Sequence, residues 1–475
     1  LTSSSRHPVR SPKPRVPRSA PEAPTHRSLE GLHGTVPTPH HRAGLWPHLK
    51  AYIGPALLVS VGYMDPGNWG TDLQGGALFK YELLWVVALA SAMAIVLQIL
   101  SARLGVVTGK DLAQACREFY PEWTRIPNWL LCEVAICACD LAEVLGSAVA
   151  LNLLFHIPLL WAVYVTAADV LLLLALQRFG VRLIEAVILV LIATIGVCYV
   201  IELFVLPATG PDFAAMGRAL LAPGLRQSGM AFIAIGIIGA TVMPHNLYLH
   251  SALVQTRQLS WTGDSRKHAI TFNTIDTVLA LSLAFLVNAA IMILAATVFY
   301  GRDSVTVAGG AVVAFGANAD WIRVAFLTLA PLLGTAAASI LFAVALLASG
   351  QSSTITGTLA GQVVMEGFMR WRLAPWVRRL LTRGLAILPA VIMIGMRGEG
   401  SVTDLLTLSQ VVLAMQLPFA MFPLLHFTSS RLRMGAWRNG WFLLAAGWTS
   451  AVLITAMDLF GLRESLRSAW RILAG

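Results

Sequence analysis

Eleven apolar stretches of bilayer-spanning length follow one another along the chain, near residues 47–64, 83–107, 127–155, 157–176, 183–206, 230–255, 274–300, 327–349, 383–396, 402–427 and 440–461. Polar or Gly/Pro-bearing turns separate them, and the ninth is the shortest. A backbone in lipid must satisfy its own hydrogen bonds, and a helix does so within one segment. The chain therefore reads as an all-α polytopic membrane protein of about 11 transmembrane helices. With 57% hydrophobic and only 12% charged residues, it is too apolar for an ordinary soluble enzyme.

The formal net charge of +10 raises the question of nucleic acid. The basic residues fall mostly in alternate loops, which is a topology signal. With a cytoplasmic N-terminus, the inner loops hold Arg103, Lys110, Arg117 and Arg125, then Arg178 and Arg182, then Arg257, Arg266 and Lys267, then a cluster from Arg370 to Arg383, then Arg431, Arg433 and Arg438. The outer loops hold Lys80, Arg218, Arg226, Arg302, Arg323 and Arg397, and the C-terminal "RESLRSAWR" lies outside as an exception. The partners so implied are a lipid bilayer, no nucleic acid and no obligate protein. The location is the inner (plasma) membrane, crossed many times.

Residues 1–46 are rich in Pro, Ser and Arg and poor in large apolar side chains, so they read as a disordered basic cytoplasmic tail, with 47–475 a single transmembrane domain. No signal-peptide core is present there, so the first span directs insertion. The tail histidines His7, His26, His33, His40 and His41 are either solvated or metal-binding. The five cysteines form no CxxC pair, and those in the spans read as small packing residues.

Two spans carry the same interruption. In the first, "SVGYMDPGNWGTD" sets Asp65, Pro66, Gly67 and Asn68 in mid-segment; in the sixth, "GIIGATVMPHNLYLHSA" does so with Met243, Pro244, His245 and Asn246. Proline removes a backbone donor and disfavours helical geometry in the residue before it. Each helix should stop and restart there. One such break is commonly a kink in a packed helix. Two, five spans apart, point to an inverted repeat of spans 1–5 and 6–10 with discontinuous helices 1 and 6 and a substrate site between them.

The atoms offered at the breaks suit a cation. Asp65 supplies a carboxylate, Asn68 an amide oxygen, and unwinding frees carbonyls near Gly62 and Ala240 at the negative ends of half-helices. Met243 adds a thioether, from which Mg²⁺ and Ca²⁺ gain little but which Mn²⁺, Fe²⁺, Co²⁺ and Cd²⁺ tolerate or prefer; a buried Met is also a common packing residue. The third span adds Glu133, Asp140 and Glu143, whose spacings of seven and three put them on one helical face. Three acids there are either proton carriers or fixed ion-pair partners of Arg378, Arg379 or Arg383. Asp169 in the fourth span has no account.

The stretches "YMDPGNW", "DLAEVLGSA", "GIIGATVMPHNLYLHSALVQTR", "FAVALLASGQSSTITGTLAGQVVMEGF" and "LSQVVLAMQLPFAMFPLL" resemble, in order, signature segments of the Nramp (natural resistance-associated macrophage protein) divalent metal transporters, from about residue 47 to 460. The resemblance includes the bacterial manganese-transporter branch. It implies a LeuT-like inverted-repeat fold that imports Mn²⁺ or Fe²⁺ with protons by alternating access, with the metal as transported substrate and no resident cofactor. It also implies Asp65, Asn68 and Met243 as metal ligands, with main-chain oxygens at Gly62 and Ala240, and Gln410 joining in some conformations. The family often has Ala where this chain has Gly62, a change that keeps the carbonyl. His245 takes a proton-pathway role by the same resemblance, alongside the acids and arginines; His250, Gln98 and Asn288 match positions near that pathway, as support or as participants.

Other classes fit less well. An intramembrane metalloenzyme could use Asp65, His245 and His250, but no HExxH and no GxSxG occurs. An organic-substrate carrier of the same architecture leaves Asp65 and Met243 without a purpose. A passive channel differs in moving no protons.

Overall fold

Among the described residues, eight helices are long and apolar enough to cross a membrane: Leu84–Thr108, Glu122–Phe155, Val181–Val205, Met230–Thr256, Gly263–Val298, Ala336–Met369, Leu408–Ser429 and Trp441–Phe460. They are spans 2, 3, 5, 6, 7, 8, 10 and 11 of the eleven expected. Span 1 is missing from that set because its break leaves two short halves, Pro55–Met64 and Pro66–Phe79. Span 9 has a short apolar core, Leu380–Met396, and span 4 is described only over Leu159–Thr166. This computed structural model describes residues 28–39, 43–166, 179–205, 210–227, 229–259, 263–307, 312–316, 319–333, 335–371, 373–397 and 402–474. Asp169 lies outside them.

Two boundaries differ from the apolar runs. Span 7 starts at Gly263, eleven residues before the apolar run. The run at 327–349 divides between a separate helix, Trp321–Leu333, and span 8, which continues through "SGQSSTITGT" to Met369. That polar stretch stays helical because its hydroxyls bond carbonyls one turn back, as Ser352 to Ser349, Thr356 to Ser353 and Thr358 to Thr354 do at 2.8–3.0 Å. Between spans 7 and 8 lies an antiparallel hairpin, Ser304–Thr306 with Val312–Ala314.

The layout is concentric. Broken spans 1 and 6 are buried at the centre, with Val59, Trp69, Ile237 and Leu247 almost fully enclosed. Spans 5, 9 and 11 turn apolar side chains such as Val190, Leu388 and Val452 outward, as helices facing lipid do.

Residues 28–39 fall within the stretch assigned by composition to a disordered tail, and they are docked. Leu29 and Val36 are buried; Val36 pairs in parallel with Arg257 just past span 6. The face of the molecule carrying this segment is called the N-terminal face below. Residues 1–27 lie outside the described residues.

Candidate metal-ion site at two helix breaks

The two breaks have the same local chemistry. Span 1 tightens into a 3₁₀ turn, Val61–Met64, then turns extended at Asp65 (φ −69°, ψ 166°), and Pro66 opens the next helix. Span 6 ends its first half at Thr241, turns extended at Met243 (φ −83°, ψ 124°), and Pro244 opens Pro244–Leu253. Proline at a first helical position costs no hydrogen bond and sets the right φ, so the residue that breaks one half-helix starts the next.

Asp65 caps its own restart. Its Oδ1 accepts from the Asn68 backbone N–H at 2.9 Å and from Asn68 Nδ2 at 2.7 Å, while Oδ2 is buried with no hydrogen-bond partner among the described residues. Asn68 Nδ2 also donates to the Ala240 carbonyl at 3.0 Å, and Thr241 Oγ1 donates to Asn68 Oδ1 at 3.2 Å. One amide thus ties the break in span 1 to the end of the first half of span 6. Asp65, Asn68, Ala240 and Met243 are fully buried, and Gly62 is buried beside them. Gly62 faces Asn246, whose amide would collide with any Cβ there. Gln410 of span 10 lies against Gly67 in the same way, with Oε1 buried and unpartnered among the described residues.

A carboxylate oxygen and an amide oxygen, both buried and without a donor, are costly unless a cation or water completes them. The donor set is one carboxylate, two amides, carbonyls and a thioether. Among the described residues no three His, Cys, Asp or Glu side chains gather as a cage. A single formal charge suits a cation that must leave as well as enter.

The second group lies along span 3. Glu133 pairs with Arg378 at 2.9 Å and accepts from Trp129 Nε1 at 3.0 Å. Asp140 and Glu143 are buried and face Gly357 of span 8, where an added methyl would lie 2.9 Å from Glu143 Oε1 and 3.6 Å from Asp140 Oδ1. Arg383 is buried and donates to Thr354 Oγ1 at 2.9 Å and to the Asp140 carbonyl at 3.5 Å. Cys139 links the groups: its Sγ lies 3.5 Å from Glu143 Oε1 and 3.7 Å from His245 Nε2. Of the arginines named from sequence, Arg378 and Arg383 meet this face, and the Arg379 side chain lies outside the described residues.

His250 belongs to a third chain, His250 Nδ1 to Gln98 Oε1 at 2.9 Å and Gln98 Nε2 to Tyr63 OH at 2.7 Å. Asn288 donates to the Tyr63 carbonyl at 2.7 Å, bracing the 3₁₀ turn before Asp65. Sequence reasoning passed over three features: Cys139, read as packing; the span 8 glycines, whose spacing gives no sign of what they face; and Asp72. Asp72 sits one turn beyond Asn68, buried with neither carboxylate oxygen bonded among the described residues.

Helices broken at mid-membrane around buried cation-type ligands define a membrane carrier rather than an enzyme. The chain belongs to the Nramp family: the family model, described as natural resistance-associated macrophage protein-like, matches residues 56–463. It is similar to the divalent metal cation transporter MntH of Nostoc sp., 50% identical over 441 residues, 92% of this chain and 96% of that one. The same-named protein of Bradyrhizobium diazoefficiens is 48% identical over 448 residues, 94% and 96% of the two chains. A solved manganese transporter of Eremococcus coleocola matches at 37% identity and TM-score 0.82, over 92% of this chain and 91% of that one. Mhp1, a nucleobase-cation-symport-1 family transporter, matches at 13% identity and TM-score 0.57 over 92% and 96%, which shows the fold alone. The fold is the LeuT-like one that the resemblance implied, with the two helix breaks where the sequence placed them.

Proposed function

We propose that this protein imports divalent transition-metal ions, Mn²⁺ foremost and Fe²⁺, Co²⁺ or Cd²⁺ as further substrates, together with protons by alternating access. The observation that carries the reading is Asp65 Oδ2, a buried carboxylate oxygen without a donor among the described residues, at a helix break that Asn68 ties to the Ala240 carbonyl, three residues before the buried Met243. In the geometry described, the Asn68 NH₂ bridges Asp65 and Ala240, two acceptors a cation would also bridge. Rotation of that amide would turn Oδ1 to the metal and release both acceptors at once. The thioether of Met243 then favours transition metals over Mg²⁺ and Ca²⁺.

The proton route in this reading starts at Asp65 and His245 and runs through Asp140 and Glu143 toward Glu133 and its partner Arg378. His245 suits the junction because modest changes in its surroundings move its protonation across physiological pH. The N-terminal face is cytoplasmic and the membrane is the plasma membrane, as the loop arginines imply. The test is uptake in proteoliposomes across a metal panel with a pH-sensitive dye inside. Saturable Mn²⁺ uptake with internal acidification supports the reading; metal entry with no proton movement removes the coupling, and no metal entry removes the function.

A further inference from the structure

The N-terminal face is shut by a small set of contacts around Arg257. Its buried guanidinium donates to the Ala51 carbonyl at 3.0 Å, the Ile53 carbonyl at 2.9 Å and Glu185 Oε1 at 2.8 Å. Arg182 of span 5 adds bonds to the carbonyls of Lys50, Ala51 and Ile53 at 2.9–3.0 Å. Asp276 of span 7 accepts from the backbone N–H groups of Gly54 and Ala56. These bonds fix the entry to span 1 against the end of span 6.

Residues 28–39 run across that closure and grip both sides of it. At one end the Leu29 N–H donates to Glu366 Oε2 at 2.8 Å, at the end of span 8. Ser28 bonds the Asp111 carboxylate, in the loop between spans 2 and 3, and its Oγ accepts from Gln114 Nε2 at 3.4 Å. At the other end the segment adds itself as a strand to the exit of span 6. Gly34 and Val36 donate to the carbonyls of Gln255 and Thr256 at 3.1 and 3.0 Å. Gln258 donates back to the Val36 carbonyl at 2.9 Å, and Thr38 Oγ1 reaches the Gln258 carbonyl at 2.7 Å.

We infer that residues 28–39 are a latch: docked, they hold the entry to span 1 and the end of span 6 against the segment between spans 2 and 3 and the end of span 8, and they must let go before the metal can leave on that face. The inference rests on the alternating-access reading. In such a cycle one bundle of helices rocks against the other around a fixed site. A segment bonded to the end of span 6 and to the end of span 8 cannot keep both anchors when spans 6 and 8 part. The anchors differ in kind. Main-chain bonds to span 6 are independent of side chains, so the end that lets go is the one at Ser28 and Leu29, held by two side-chain acceptors and one buried leucine.

The test uses the full-length protein in proteoliposomes. A Thr38→Cys, Gln258→Cys pair joined by a reducible bis-thiol reagent fixes the strand end, and a Ser28→Cys, Gln114→Cys pair fixes the other. Wild-type protein treated alike controls for the five native thiols, four of them buried. Tethering at Ser28 should lower initial Mn²⁺ uptake about tenfold or more, with recovery on reduction, because one conformer has been removed from the cycle. Tethering at Thr38 should leave uptake near wild type. A Leu29→Asp, Glu366→Gln variant should raise the apparent KM for external Mn²⁺ several-fold at unchanged folded yield, because it depopulates the state closed on the N-terminal face. Full uptake by the Ser28-tethered protein, or an unchanged KM in the variant, overturns the latch. Absence of Mn²⁺ uptake by untreated wild type would instead overturn the proposed function.

Discussion

Asn68 Nδ2 and Asp65 Oδ1 lie 2.7 Å apart, so in the proposed site one candidate ligand, the Asn68 amide, is held by the other, the Asp65 carboxylate. Two hydrogen bonds join them, from the Asn68 backbone N–H and from its side-chain amide. The pair explains why the two residues should differ on mutation. Asp65→Ala removes the only carboxylate at the breaks and is expected to abolish Mn²⁺ uptake. Asn68→Ala leaves that charge and the Met243 thioether, and also removes a competitor for Asp65 Oδ1; uptake should fall less, about tenfold, a change equivalent to ~1.4 kcal/mol. Isothermal titration with Mn²⁺ beside uptake at limiting metal checks both, and wild-type uptake by Asp65→Ala would remove the site assignment.

Met243 is fully buried at the turn where span 6 breaks, so its sulfur is positioned by backbone rather than by surface packing. Met243→Ala leaves only hard oxygen donors. Mn²⁺ uptake should persist at a reduced level while Mg²⁺ and Ca²⁺ become competitors, moving selectivity more than rate. Competition curves with Ca²⁺ that are the same for mutant and wild type would show that the thioether is not the filter.

The sequence disclosed the centre of this molecule better than its edges, for a physical reason. Asp65–Pro66 and Met243–Pro244 violate what lipid demands of a helix, so they stand out against an apolar background without knowledge of any neighbour. The latch does not stand out. Leu29 and Val36 are two apolar residues in a polar stretch, and what orders them is bonding to residues more than two hundred positions away, the Glu366 carboxylate for Leu29 and the main chain of Thr256 and Gln258 for Val36. Cys139 and Gly357 were opaque for the same reason, since a thiol or a glycine acquires meaning only from what the fold sets against it. The polar run in span 8 misled a reading by hydropathy because its hydroxyls satisfy themselves within the helix.

Asp140 is buried on the face of span 3 that meets Gly357, next to the residue that joins Glu143 to His245. Asp140→Asn keeps shape and hydrogen bonding and removes the exchangeable charge. The mutant should express, bind Mn²⁺ and show little or no metal-linked acidification. Loss of both binding and flux would mark a structural role, since breaking a buried charged cluster destabilises by ~3–5 kcal/mol. Retained wild-type proton flux would take Asp140 out of the pathway.

Two glycines separate function from folding. At Gly361 an added methyl would overlap the guanidinium of Arg378, the free end of a long side chain that can swing away. In doing so it leaves Glu133, its partner at 2.9 Å. At Gly76 the same methyl meets the Met292 carbonyl, with Ala295 Cβ at 2.9 Å and the Ala296 nitrogen at 3.0 Å, and backbone of span 7 cannot yield so cheaply. Gly361→Ala should therefore fold at wild-type yield and reproduce the transport defect of Arg378→Gln, with the double mutant no worse than either single one. Gly76→Ala should lose ~1–3 kcal/mol by overpacking and show it as a lower melting temperature in detergent, whatever the metal. Thermal melts and uptake measured on the same preparations separate the cases: a destabilised Gly361→Ala with intact coupling would mean that Arg378 serves the fold and not the proton.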